Sequence, residues 1–389
     1  MPAYAKAMAR LGTETAFEVL ARARALEAQG RDIVHLEIGE PDFDTPKNIV
    51  EAGKKALDDG FTHYGPSAGM PEFRSIIANY IAEDRGISVE PENVVVTPGG
   101  KPVMFYGMLA LLDPGDEVLY PNPGFPIYES VIDWVGAKAV PLVLRQENEF
   151  RLDLDEIKDK LNSKTKLLII NSPQNPTGGI LPEADLKALA TMLLDYPDCW
   201  ILSDEIYSQL LYDEAHVSIT KFPGIQERTI ILDGFSKTYA MTGWRLGYGI
   251  MPEELATHVA RLETNCNSCP PAMIQVAGME ALTGPQDEVD RMRAEFKKRR
   301  DHLVTGLNKI EGVECLLPGG AFYVFPSIKK LGKPSAEFAT RLLDEGGVAA
   351  LSGTAFGRHG EGHLRFSYAN SIDNINKALE RLAAFVPTL

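Results

Sequence analysis

The chain has 389 residues, 44% hydrophobic and 24% charged, enough for a large core and, at about 150 residues per domain, for two domains. Its formal net charge of -15 argues against a general polyanion binder, so nucleic acid is not an expected partner. No apolar run is long enough to span a bilayer and the first ten residues lack the apolar core of a secretory signal, so the expected location is the cytoplasm, with no membrane partner.

In chain order, apolar and β-branched runs predict strands at residues 93–97, 117–120, 139–143, 167–170, 200–203, 229–232 and 246–250. Longer helical patterns alternate with them, which predicts an α/β fold around a mostly parallel sheet. Pro141 removes a ladder donor and sends the third strand towards an edge. A helix is predicted over 103–112, with Pro102 near its first turn. A long amphipathic helix is predicted over 287–310, with Val289, Met292, Phe296, Leu303 and Leu307 on its apolar face. Beyond it, strands at 319–325, 347–351 and 363–367 suggest a smaller α+β unit. The predicted domains are therefore a large one, 46–285, and a small one formed by 1–45 with 286–389.

Four cysteines, Cys199, Cys266, Cys269 and Cys315, are too few for a disulfide framework and fit a reducing compartment. Cys266-Asn-Ser-Cys269 with His35-Leu-Glu37 faintly resembles a zinc deaminase pattern, but Asn265 stands where a proline belongs and a second ligand pair is missing. No metal is expected.

Ligands of open α/β sheets bind beyond the carboxyl ends of the strands, and four predicted ends carry suggestive chemistry. The strand at 229–232 leads to Ser236-Lys237 and on to Arg245. A lysine amine becomes a covalent catalyst when desolvation or a neighbouring cation keeps it neutral, and Arg245 could be that cation. Ser236 and Arg245 also suit a phosphate. The strand at 93–97 leads to Gly99-Gly100-Lys101 before a helix N-terminus, a weak phosphate-seat signal that is not a Walker loop. The strand at 167–170 leads to Asn175, which is otherwise an ordinary turn-capping residue. The strand at 200–203 leads to Asp204 and Tyr207. A buried acid there needs a partner, either a protonated ring nitrogen or, more plainly, a structural arginine. Together these groups match one ligand: a pyridine ring with an aldehyde, a phenolic oxygen and a phosphate.

Here the chain resembles the fold type I pyridoxal-phosphate aminotransferases of class I/II, especially bacterial aspartate aminotransferases. The resemblance runs from about Phe17 to the C-terminus through Gly39-Glu-Pro-Asp-Phe-Asp-Thr-Pro46, Tyr64-Gly-Pro-Ser-Ala-Gly69, Asn171-Ser-Pro-Gln-Asn-Pro-Thr-Gly178, Ser203-Asp-Glu-Ile-Tyr207 and Ser236-Lys-Thr-Tyr-Ala-Met-Thr-Gly-Trp-Arg245. It implies a three-layer sandwich, with Lys237 joined to pyridoxal 5'-phosphate as a Schiff base, Asp204 at the ring nitrogen, and Asn175 and Tyr207 at the phenolic oxygen. It also implies that Phe125 stacks on the ring, a residue whose ordinary reading is core packing. Gly99, Gly100, Lys101, Ser236 and Arg245 would form the cofactor's anion seat. The family is typically a homodimer, and Tyr64 resembles the tyrosine reaching the neighbouring subunit's phosphate. Arg365 matches the arginine for the substrate α-carboxylate; without the resemblance it reads as a surface strand residue. Gly39 matches the segment passing over bound substrate.

The implied activity is ping-pong transamination between an amino acid and a 2-oxo acid, with Lys237 carrying the α-proton. A carbon-sulfur lyase or an amino-acid oxidase on the same fold is the enzymatic alternative. A pyridoxal-phosphate-binding transcription regulator is a rival of another class, and the chain has no predicted DNA-binding module to support it. Lys101 could pair with a distal carboxylate, making aspartate or glutamate the first expected substrate. Ala16 stands where such relatives offer a hydroxyl, and Glu14 and Glu18 flank it, which leaves a neutral or aromatic donor as the alternative.

Overall fold

The computed structural model describes residues 4–389. After a short strand β1 (Val34–His35), the chain builds one seven-stranded sheet from β2 (Val94–Thr97), β3 (Glu117–Asn122), β4 (Lys138–Val143), β5 (Thr165–Asn171), β6 (Trp200–Asp204), β7 (Thr229–Gly234) and β8 (Gly247–Ile250). The order across the sheet is β2-β8-β7-β6-β5-β3-β4. All seven strands lie where sequence patterning predicts them, and β4, with Pro141, is an edge.

Strand direction follows from the connections. The pairs β3·β4, β3·β5, β5·β6 and β6·β7 are parallel, whereas β8 is antiparallel to both β7 and β2. Only residues 235–246 separate β7 from β8, and they hold no α-helix to carry a crossover, so the chain turns back on itself. Helices cover both faces. Val95, Ile169, Leu202 and Ile230 pack towards one side and Leu119, Leu168, Ile170 and Ile201 towards the other. Period-2 alternation with apolar residues on both faces is what a sheet enclosed between helical layers requires. Each such side chain taken out of water contributes about 1.5–3 kcal/mol.

The C-terminal part departs from the predicted elements in three places. The long helix Asp287–Leu307 stops at Asn308, whose side chain donates to the Cys315 carbonyl (2.9 Å) and accepts from the Cys315 N–H (2.8 Å). Most of 319–325 is a turn, because the N–H groups of Gly319 and Gly320 both donate to the Gly178 carbonyl; only β9 (Tyr323–Val324) remains. The run 347–351 divides into β10 (Val348–Ala349), parallel to β1, and β11 (Leu351–Ser352), antiparallel to β12 (Leu364–Ser367). The Ser367 N–H also donates to the Leu36 carbonyl (2.8 Å), so residues 36–37 run beside β12. The helix predicted over 103–112 is observed at Lys101–Leu111, two residues closer to the glycines that precede it. No helix among the described residues is long and apolar enough to cross a membrane.

Candidate active site

One cavity of about 920 Å³ lies beyond the carboxyl ends of the central strands. Gly100, Lys101, Phe125, Asn175, Asp204, Tyr207, Ser236, Lys237, Arg245, Gly39 and Arg365 line it, so the fold brings together nearly all the residues singled out from the sequence. Gly99 does not line it but abuts Arg245, which does. Tyr64 does not line it: it is 88% exposed.

Lys237 follows β7 and reaches back under the 39–46 segment, donating from Nζ to the Gly39 carbonyl at 2.6 Å. Burial lowers its pKa from 10.5 to about 8. Glu40 and Glu14 oppose that shift, whereas Arg365 and Arg245 add to it. Desolvation, rather than the Arg245 cation suggested by the sequence, is thus the main cause.

Asp204 closes β6 with its side chain buried. Its partner is not an arginine: the Tyr128 hydroxyl donates to Oδ2 at 2.5 Å, and the Ile206 N–H reaches Oδ1 at 3.3 Å. Burial nevertheless raises the carboxyl from 3.8 to about 6, against the lowering effect of those two donors. Tyr128 was not legible as a site residue, since it lies in the helix Ile127–Val135 and only the packing of that helix on the sheet aims its hydroxyl at Asp204. It also contacts Phe125 edge-on, with ring centroids 5.6 Å apart.

Arg365 is buried on β12, unlike the surface strand residue that its local sequence alone suggests. Its Nη1 donates to Asn175 Oδ1 (3.0 Å) and its Nη2 to the Glu37 carbonyl (2.5 Å), but its buried Nε has no partner. The guanidinium lies 4.4 Å from the Tyr323 ring centroid and 4.8 Å from that of Phe356. Tyr323 in turn bonds Tyr207 hydroxyl to hydroxyl at 2.8 Å. Tyr323 and Tyr128 are therefore site-supporting residues that carried no local signal, and Glu37 supports the site through its backbone carbonyl rather than as the metal-pattern residue its sequence context suggested.

The remaining wall is made by close backbone approach. A Cβ on Gly247 would sit 2.6 Å from the Gly99 carbonyl carbon and the Gly100 nitrogen, so only glycine lets β8 pass under this loop. Gly99 itself has φ +90, and a Cβ there would stand 2.1 Å from Arg245 Nη2. Arg245 holds a left-handed backbone, φ 56, and anchors its Nη1 on the Thr242 carbonyl at 2.9 Å. A side-chain-bearing residue in that conformation is strained, and such strain gathers at ligand clamps. A helix N-terminus, a glycine loop, Ser236 and a guanidinium thus meet at one corner of the cavity.

Lys101 is engaged, pairing with Glu14 and lying 5.4 Å from the Phe125 ring centroid. His35 and Glu37 bond one another (Nδ1 to Oε1, 2.7 Å), and among the described residues no group of three or more His, Cys, Asp or Glu side chains is arranged to hold a metal.

Comparison with known proteins adds to this geometry. The family profile described as aminotransferase class I and II matches residues 31–382. An aspartate aminotransferase of Pyrococcus abyssi is 42% identical, with 90% of this chain and 91% of the relative covered. An aromatic-amino-acid aminotransferase 2 of Thermococcus litoralis is 40% identical, with 91% and 92% covered. The solved aspartate aminotransferase of Thermus thermophilus with maleate is 37% identical and superposes with a TM-score of 0.95, covering 99% of this chain and all of that one. The chain belongs to the class I and II aminotransferases and is an amino-group-transferring enzyme of the fold type I architecture.

Proposed function

We propose that the cavity binds pyridoxal 5'-phosphate and that the enzyme exchanges amino groups between an L-amino acid and a 2-oxo acid. The observation that carries the proposal is that one cavity collects an amine of lowered pKa, a buried acid and a buried guanidinium with an unpartnered Nε. These groups suit the cofactor. Lys237 would take its aldehyde, Asp204 its ring nitrogen, Asn175 and Tyr207 its phenolic oxygen, and Phe125 a ring face. Gly99, Gly100, Ser236 and Arg245 would take its phosphate, where the side-chain-free approach of Gly99 to Arg245 leaves backbone and guanidinium facing one anion; Lys101, grouped with them from the sequence, pairs with Glu14 instead and is left to the substrate side of the cavity.

When bound, the group supplies an electron-withdrawing ring conjugated to the substrate nitrogen. The protein's own residues do the rest. Lys237 Nζ, its pKa lowered to about 8 by burial, would be the general acid–base group that takes the substrate α-proton and hands it to the carbon that carried the cofactor's aldehyde oxygen. Asp204, raised to about 6 by burial, gains a cationic partner that favours its ionised form. Tyr128 orients that carboxylate. Arg365 holds the α-carboxylate through Nε and the remaining guanidinium hydrogens, and the Asn175 and Glu37 contacts fix its plane. Gly39, whose carbonyl already receives the Lys237 amine, belongs to the segment that closes over substrate.

The proposal includes a large body, 46–285, that holds the cofactor and a smaller one, 1–45 with 286–389, that closes on it. It also includes a cytoplasmic homodimer with shared active sites. Tyr64, 88% exposed, supports the dimer as a residue available to a neighbouring subunit, and four free cysteines are in keeping with a reducing compartment.

The test mixes the cofactor-loaded enzyme with a panel of amino acids and no acceptor. Stoichiometric oxo-acid formation is expected. Catalytic ammonia release or oxygen uptake would instead favour a lyase or an oxidase. Lys237→Ala is expected to abolish turnover, and undiminished turnover would sink the assignment.

A further inference from the structure

Resting on that reading of the site, we propose that Glu14 is a specificity-determining residue: by occupying Lys101 it turns the distal end of the cavity towards amino acids with uncharged, apolar or aromatic side chains and away from dicarboxylic ones. With Lys237, Arg245 and Arg365 assigned to cofactor and α-carboxylate, Lys101 and Arg24 are the cations left on the cavity wall. Lys101 is not free, because its amine is paired with the Glu14 carboxylate. Arg24 lies eight residues beyond Ala16 on the helix Ala16–Glu27, about 12 Å along its axis, beside the Glu27 and His35 end of the wall.

The placement of Glu14 is built rather than incidental. Arg10 donates to the carbonyls of Asp133 (2.7 Å) and Trp134 (3.0 Å), and Gly12 exchanges two hydrogen bonds with the Ser130 hydroxyl (2.9 and 3.2 Å). Four bonds thus pin residues 10–12 to the helix Ile127–Val135, next to the Phe125 over which Lys101 lies. Only one residue separates this anchor from the pair. The Glu14 side chain is 20% exposed and Lys101 49%, so the carboxylate is the better buried member and the less easily displaced by solvent. Its charge also reaches Lys237 and Arg365, partly opposing the burial that lowers the pKa of both.

Two consequences follow for a substrate. A distal carboxylate must compete with Glu14 for Lys101 and then lie beside a like charge, an arrangement that discriminates strongly once water is excluded. An apolar side chain meets no such conflict. It finds Ala16, Phe17, Leu20, Ile38 and Met104 along the same wall, and Phe17 is 63% exposed and available to be covered.

The experiment uses the cofactor-loaded enzyme and two unreactive ligands, maleate as a dicarboxylate and 3-phenylpropionate as an aromatic monocarboxylate, with dissociation constants measured by calorimetry. Glu14→Gln is expected to tighten maleate roughly tenfold and to change 3-phenylpropionate less than about twofold, and Glu14→Gln with Lys101→Met is expected to cancel the gain. The ratio of kcat/KM for aspartate over phenylalanine should rise by a similar factor in Glu14→Gln. Unchanged maleate affinity, equal movement of both ligands, or a gain that survives Lys101→Met would overturn the inference. Arg365→Leu separates the two levels: it should weaken both ligands, and if it does not, the site assignment fails and takes this inference with it. An unaltered melting temperature for Glu14→Gln shows that the readout is binding and not folding.

Discussion

Asp204 should destabilise the cofactor-free protein at neutral pH, and Asp204→Asn should relieve that. The carboxyl titrates at about 6 in the folded chain against 3.8 ordinarily. A raised acid binds its proton more tightly when folded, so stability falls as pH rises from about 4 and is lowest above 6. At 1.36 kcal/mol per unit the difference is about 3 kcal/mol at pH 8 and about half that at pH 5. An asparagine removes the charge but mismatches one of the two donors, Tyr128 and Ile206, which returns about 1 kcal/mol. The net gain of about 2 kcal/mol corresponds to a rise of about 2–3 °C in Tm for a chain of this length. Scanning calorimetry of the cofactor-free protein and of Asp204→Asn between pH 5 and 8 should show the variant melting higher at pH 8, with the gap narrowing towards pH 5. A lower melting temperature at pH 8, or a gap independent of pH, would refute the reasoning. The same variant should lose most transamination, a stability gained where the site is strained for function.

Three further outcomes are expected. In the cofactor-free enzyme, the rate at which an amine-directed reagent labels Lys237 should rise with a midpoint near pH 8, well below the ordinary lysine value of 10.5, as followed by peptide mass spectrometry. Gly99→Ala should keep the fold but weaken cofactor binding at least about tenfold in fluorescence titration, because its Cβ displaces the Arg245 guanidinium and its φ of +90 disfavours a side chain. Arg85→Met should lower stability by about 3–5 kcal/mol in denaturant unfolding, since Arg85 bonds Glu205 (2.6 Å) and Asp233 (3.0 Å) and its loss leaves the buried Asp233 without its cation and Glu205 with His216 alone.

Where a property depends on neighbours in the chain, it was legible in the sequence. Seven strands declared themselves by apolar runs, Pro141 marked the edge of the sheet, and the rule that ligands sit beyond strand ends pointed to Lys237, Asp204 and Asn175, whose side chains do line one cavity. Contacts between distant positions, and the burial they bring, were not legible. Nothing near Tyr128 announces Asp204, 76 positions away, and nothing near Arg365 announces its burial against Asn175, 190 positions away. The small strands failed for the same reason: β10 and β11 part because one pairs with β1 and the other with β12.

The sequence by itself determined the sheet, the chemistry at its strand ends and, through its motifs, the family. Those are functions of residue type and spacing, which periodicity and turn chemistry transmit locally. Tertiary structure alone decided the electrostatics: which groups are dry, and so why the lysine amine falls to about 8 while the aspartate rises to about 6. It also decided that Lys101 answers to Glu14, 87 residues away, because charge acts through space and only the folded chain says what stands nearby.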